Sequence, residues 1–138
     1  MKFNHRKEIQ IRFGDIDILG HVNNAVQLSY FDLARLSYFE QFYGDIIRWE
    51  DSAVIVAHLE IDFMVPILIK DNIEVLTRIT RIGNKSLGLE QQIVDINTRE
   101  VKTRSTQVMV GYNQRLSTSI PIPEELKSKI MTFENELV

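Results

Sequence analysis

Hydrophobic residues recur along this chain with two different periods, and each change of period marks a new element. Ile9, Ile11 and Phe13 alternate with Glu8, Gln10 and Arg12, which predicts a half-buried strand. From about residues 25–29 to Tyr43 the spacing is helical, with Gly44 as the predicted stop. The apolar side chains of that segment, among them Leu28, Tyr30, Phe31, Leu36, Phe39 and Phe42, cover more than one stripe. A helix of this kind needs cover on most sides, as when a sheet wraps it. Trp49, inside the polar segment from Asp45 to Ser52, is expected to pack where that segment crosses the core edge.

Period 2 then takes over. Ile55, Ala57, Leu59, Ile61 and Phe63 alternate with Val54, Val56, His58, Glu60 and Asp62, a long strand with one apolar face. Pro66 ends it, and Lys70-Asp71-Asn72 makes a turn. A strand from Ile73 to Ile82 meets a hairpin turn at Gly83-Asn84. Leu87, Leu89, Gln91 and Ile93 carry the next strand, residues 97–100 turn, and a last strand spans about Val101 to Tyr112. Pro121 and Pro123 break the pattern. Pro123 suits the first turn of a helix, with Glu124 and Glu125 at its positive end and Leu126, Ile130 and Phe133 on its docking face. The expected order is strand, helix, four strands in an antiparallel meander, and a short C-terminal helix, an α+β domain over residues 1–138.

Composition narrows the function classes. The net charge of −3 offers no positive field for nucleic acid. With no cysteine there is no disulfide, thiolate metal site or thiol nucleophile. No apolar run approaches the roughly 18 residues of a membrane span, and Met1 to Lys7 is not followed by a signal-like apolar stretch. A cytoplasmic protein is the expectation.

The polar chemistry concentrates between the first strand and the helix, in Asp15-Ile16-Asp17-Ile18-Leu19-Gly20-His21-Val22-Asn23-Asn24. Helix-start N–H groups lack intrahelical partners and carry partial positive charge. A loop carboxylate beside them joins a base to an oxyanion site, the pair that acyl transfer needs. Aspartate is also common in turns, where it caps backbone N–H groups, and spacing alone leaves both roles open for Asp15 and Asp17. A calcium loop fails, because Leu19 and Val26 stand where oxygen ligands are required. A metal site from Asp15, Asp17 and His21 lacks a further ligand unless His58 approaches in space. His21 is a candidate second acid–base group, and a positioning role is the expectation. Asn23 suits a helix cap, and Asn24 suits either a cap or a carbonyl donor. There is no Gly-x-Ser-x-Gly elbow and no phosphate-binding glycine loop.

Arg12-Phe13-Gly14-Asp15-Ile16-Asp17, Gly20-His21-Val22-Asn23-Asn24 and Tyr30-Phe31-Asp32-Leu33-Ala34-Arg35 together resemble the hotdog-fold acyl-CoA thioesterases, in particular the 4-hydroxybenzoyl-CoA thioesterase group. The resemblance implies a curved antiparallel sheet wrapped around one long central helix. It makes Asp17, the second aspartate of the Asp-x-Asp pair, the catalytic carboxylate, as general base or nucleophile, and leaves Asp15 a structural role. It points to Phe13, His21, Asn23, Asn24, Tyr30, Lys85 and Ser86 as substrate-binding residues. Phe13, Tyr30, Phe31 and Phe63 become candidates for an acyl channel, and backbone N–H groups around residues 24–26 for the oxyanion site. Arg78, Arg81, Lys85, Arg99, Lys102 and Arg104 are either a solvated sheet face or a dock for coenzyme A phosphates. Some members of the group carry a tyrosine where Phe13 stands and a histidine where Asn24 stands; this chain has neither.

The implied activity is hydrolysis of an acyl thioester, on coenzyme A or a carrier protein, with no metal and no cofactor beyond the coenzyme A of the substrate. The implied assembly is a homodimer or a tetramer of dimers. The departures at Phe13 and Asn24 sustain an alternative: a non-catalytic acyl-thioester binding module on the same scaffold.

Overall fold

Alternating β-branched residues make the long strands of the computed structural model, which describes residues 2–44, 48–135 and 137. In chain order they are β1 (His5–Ile9), α1 (Asn24–Glu40), β2 (Ala53–Phe63), β3 (Ile73–Ile82), β4 (Ser86–Asp95), β5 (Val101–Asn113), β6 (Thr118–Ser119) and α2 (Glu124–Glu134). The strands form one six-stranded antiparallel sheet in the order β1-β3-β4-β5-β2, with β6 paired to β5. This is the α+β hotdog arrangement that the resemblance implies.

Four expectations need correction. The strands after α1 are not a simple meander: β3, β4 and β5 run consecutively, but β2 crosses the sheet to lie beside β5. β2 occupies the expected residues, yet Leu59 and Phe63 on its apolar alternation are exposed. An edge strand has a neighbour on one side only, and here its apolar positions are left open. The first strand lies earlier than its hydrophobic period suggests, because Asp15 interrupts it. The Asp15 carboxylate accepts the Arg12 N–H at 3.0 Å and the Asp15 N–H returns to Arg12 O at 2.9 Å, closing a 3₁₀ turn over Phe13–Asp15. α1 begins at Asn24 and ends at Glu40, not Tyr43, and Phe42 N–H bonds Phe39 O at 2.9 Å in a tighter turn. Trp49 is half-exposed, with its ring edge on Tyr43 at a centroid distance of 5.8 Å. Asp45 to Ile47 of that segment lie outside the described residues.

The chain forms two compact units. The first comprises residues up to Tyr38, Ile61–Thr77 and Gln91–Ser105. Its core is Ile9, Val22, Tyr30, Phe31, Ala34, Ile67, Ile73, Val75 and Ile93. Each large apolar side chain buried here contributes about 1.5–3 kcal/mol. The fully buried Gln91 ties helix to sheet, its Nε2 donating to Phe31 O at 3.1 Å and to Thr77 Oγ1 at 3.0 Å.

The second unit holds Phe39–Glu60, Arg78–Glu90 and the chain from Thr106 onward. There α2 buries Leu126 and Ile130, and Phe133 meets Phe42 edge-on at 5.8 Å. The buried Glu134 carboxylate accepts the Ile79 N–H at 2.9 Å. Pairing between β1 and β3 ends at Thr77, so this side chain serves a stretch of β3 that β1 does not reach.

Candidate functional site

Asp17 opens a tight hairpin in the first unit. Ile16 and Val22 bridge, Asp17 N–H bonds His21 O at 2.8 Å, and Gly20 N–H bonds Asp17 O at 3.0 Å. Ile18, Leu19 and Gly20 form the three-residue loop, and Gly20 takes φ +83°. A turn followed by a left-handed residue is the common three-residue hairpin connection, and glycine adopts that φ without strain. The returning arm is fixed by Val22 N–H to Ile67 O at 2.8 Å and by a bridge from His21 to Leu68.

The turn aims the carboxylate. Asp17 Oδ1 accepts N–H bonds from Leu19 at 2.9 Å and from His21 at 3.3 Å. No partner for Oδ2 is found among the described residues, so one oxygen is anchored and the other is open. An oriented acceptor oxygen is what a general base or a carboxylate nucleophile requires.

Asn23 caps α1: its Oδ1 accepts the Ala25 N–H at 2.7 Å and its carbonyl accepts Val26 N–H at 3.0 Å and Gln27 N–H at 3.2 Å. Of the N–H groups expected to form an oxyanion site, those of Ala25 and Val26 are therefore occupied. The Asn24 N–H has no acceptor among the described residues and sits at the positive end of the helix.

Asp17, Leu19, His21, Asn23, Asn24, Gln27, Phe63 and Pro66 line one cavity of about 330 Å³. It brings together four of the sequence-predicted site residues: Asp17, His21, Asn23 and Asn24. Phe13 lies outside it and is 88% exposed. Tyr30 borders a different hollow of about 540 Å³, with Asp15, Arg12 and Leu33. Of the channel candidates, Phe63 walls the Asp17 cavity, whereas Phe31 is buried in the core.

Asp15 has the structural role expected of it. Its Oδ2 accepts the Tyr30 hydroxyl at 2.6 Å, and that bond holds the buried carboxyl below its ordinary pKa. Burial, with the same carboxylate beside it, pushes the Tyr30 phenol well above its own.

Lys85 and Ser86 belong to the second unit, at the turn between β3 and β4. Ser86 Oγ accepts from Arg81 Nη1 at 3.2 Å, and the neighbouring Arg81 and Asn84 line a hollow of about 690 Å³ with Lys127 and Met131. The basic residues do not all present free charge. Arg78 pairs with Glu90, Arg99 with Glu74 at 2.7 Å, and Lys102 with Glu100 at 3.0 Å. His58 is exposed, 3.6 Å from Glu60. Among the described residues no cluster of three or more His, Cys, Asp or Glu is placed to hold a metal ion.

Gln27 escapes a reading by sequence because glutamine inside a helix reads as surface. Its spacing was the available signal: it follows Asn23 and Asn24 by four and three residues, which places all three on one helix face.

The profile of the thioesterase-like superfamily matches residues 11–130 of this chain. A thioesterase from Thermus thermophilus, crystallised with coenzyme A and Zn, superposes with a TM-score of 0.85 at 34% identity over 96% of both chains. The uncharacterized protein YsmA of Bacillus subtilis (strain 168) is 24% identical over 94% of this chain and 86% of its own length. The long-chain acyl-CoA thioesterase FadM of Escherichia coli (strain K12) is 22% identical over 89% of this chain and 94% of its own.

Proposed function

Because the chain belongs to the thioesterase-like superfamily, we propose that it hydrolyses an acyl-CoA thioester to a free acid and coenzyme A, with Asp17 as general base or nucleophile. The observation that carries this reading is the Asp17 carboxylate, anchored through Oδ1 and open at Oδ2, in one cavity with Asn24, the first residue of α1.

As a base, Asp17 takes a proton from water while the water oxygen bonds to the thioester carbon. As a nucleophile, it forms an acyl anhydride that water then opens. In both routes the carbonyl electrons move to oxygen, where the Asn24 N–H and the helix end hold the charge. Collapse expels the coenzyme A thiolate, which takes the proton held by Asp17 in the base route and a proton from solvent water in the nucleophile route. His21 and Asn23 shape the cavity, and Tyr30 and Phe13 contribute to acyl binding. Lys85 and Ser86 take coenzyme A phosphates, as fixed charge and hydroxyl donors can. The chemistry drawn needs no group beyond the substrate's own coenzyme A. No helix among the described residues is long and apolar enough to cross a membrane, and we read the protein as cytoplasmic.

The test is thiol release from short, long and aromatic acyl-CoAs and from a carrier-protein thioester. In Asp17→Asn, kcat should fall by about two to four orders of magnitude, the scale for a lost general base. KM should change little, since the carboxylate acts mainly in the transition state. Near-normal kcat in folded Asp17→Asn protein overturns the mechanism. Binding without turnover on every thioester favours the acyl-thioester binding module instead, the reading that the departures at Phe13 and Asn24 support.

Assembly belongs to the same reading. β2 is an edge strand that exposes Leu59, Phe63 and the following Met64, and a second copy of the chain would cover it. A dimer, or a tetramer of dimers, is the expected mass in sedimentation at micromolar concentration. Leu59→Lys should shift that mass downward; a wild-type monomer contradicts the proposal.

A further inference from the structure

We infer that Gln27 is a catalytic residue of the Asp17 cavity, its carboxamide N–H₂ donating to the thioester carbonyl oxygen beside the Asn24 N–H, and that Thr103 positions it. The assignment rests on the thioesterase reading above.

Gln27 is 3% exposed, yet it lines the cavity that holds Asp17 and Asn24. The little surface it keeps is therefore directed at that site. Its Oε1 accepts the hydroxyl of the fully buried Thr103 at 2.5 Å. That separation suits an O–H···O bond and is shorter than N–H···O bonds run, so the oxygen faces Thr103 and the nitrogen faces away. Among the described residues Nε2 has no acceptor. His5 Nδ1 is the buried side-chain atom left without a partner among the described residues, so Gln27 Nε2 keeps contact with the cavity. A substrate oxygen seated there can accept its N–H, and a negatively charged oxygen accepts it more strongly than a neutral one.

The helix supplies the alignment. Gln27 lies one turn beyond Asn24 on α1, so the two side chains share a helix face, next to the helix end from which the Asn24 N–H projects. Two donors converging on one oxygen form an oxyanion hole, and a single N–H at the helix start would be only half of one. Thr103 fixes the rotamer from β5, because a glutamine free to turn would present its oxygen, repelling the developing charge.

The experiment compares wild type, Gln27→Met, Thr103→Val, Thr103→Ser and Asp17→Asn on the best thioester of the panel, with folding checked by thermal melting. Methionine keeps the length and burial of glutamine without the donor. Gln27→Met should lose about 10²–10³ in kcat with KM changed less than threefold, the signature of a lost oxyanion donor. Thr103→Val should lose a smaller part of kcat, and Thr103→Ser, which keeps the hydroxyl, should restore it. If folded Gln27→Met keeps wild-type kcat while Asp17→Asn is inert, the Gln27 assignment is overturned and the thioesterase reading stands. If Asp17→Asn is also active, the reading itself fails and takes the assignment with it. Equal losses in Thr103→Val and Thr103→Ser would overturn the positioning role of Thr103.

Discussion

The Tyr30 hydroxyl donates to Asp15 Oδ2 at 2.6 Å, fastening the turn before the Asp17 hairpin to the buried side of α1. The bond depresses the Asp15 pKa, so its contribution to stability is full above the ordinary carboxylate value of 3.8. It is lost as pH falls through the lower folded value. Tyr30→Phe should cost about 1–3 kcal/mol at neutral pH, because it strips a donor from a buried carboxylate. In urea unfolding, the gap between variant and wild type should narrow as the solution is acidified. A gap that stays constant down to pH 2 would refute the pairing. Asp15→Asn should lower the melting temperature and leave kcat of the folded protein near normal, in contrast to Asp17→Asn.

Gly20 sets the geometry of the Asp17 hairpin through its φ of +83°. A Cβ there would meet nothing within 4 Å, so the cost of a side chain is purely conformational. Gly20→Ala should destabilise by about 1–2 kcal/mol. Gly20→Asn should cost less, since asparagine tolerates the left-handed region. Both should lower kcat more than stability alone explains, because the N–H groups of Leu19 and His21 that aim Asp17 belong to this turn. Differential scanning calorimetry beside the thiol-release assay checks the order; equal costs for Ala and Asn would count against the conformational account.

His5 packs edge-on against Tyr38 at 5.4 Å, with Nε2 3.3 Å from Ser37 Oγ and Nδ1 buried without a partner. Burial holds its pKa below the ordinary 6.5. The unfolded chain then binds the proton more readily than the folded one. Stability is full above pH 6.5 and declines as pH drops below it, levelling off under the folded value. Denaturant midpoints measured between pH 8 and 5 should show that slope in wild type and a flatter profile in His5→Phe. The same slope in both proteins would assign it to other groups.

Much of the sheet was legible in the sequence, and the reason is local. β3 and β4 match their periodic runs, and Gly83-Asn84 marks the hairpin between them, where Gly83 N–H bonds Ser86 O at 2.8 Å. The boundaries of β2 were equally legible, but its neighbour was not. Periodicity says which residues are extended, whereas the pairing of β2 with β5 joins segments distant in sequence. β1 lies off its hydrophobic period because one side chain, Asp15, outcompetes the strand ladder for the Arg12 N–H. In the site, the cap at Asn23 follows from residue type, but the role proposed for Asp17 comes from family resemblance. Spacing alone could not distinguish a base from a turn-former. Gln27 stayed hidden because its significance depends on Thr103, a partner on another element.

The unit that carries Asp17 is assembled from three separated stretches of chain, the last of which runs to Ser105. His5 pairs with Thr77, and Gln27 is held by Thr103. During synthesis the N-terminal strand and the apolar residues of α1 therefore leave the ribosome long before their partners exist. A nascent chain halted short of Ile67 would present Tyr30, Phe31 and Ala34 without the Ile67, Ile73, Val75 and Ile93 side chains they pack with, a surface for chaperones to shield. The hold of Thr103 on Gln27 is thus a late event in the life of each molecule, and its timing is set by translation of β5.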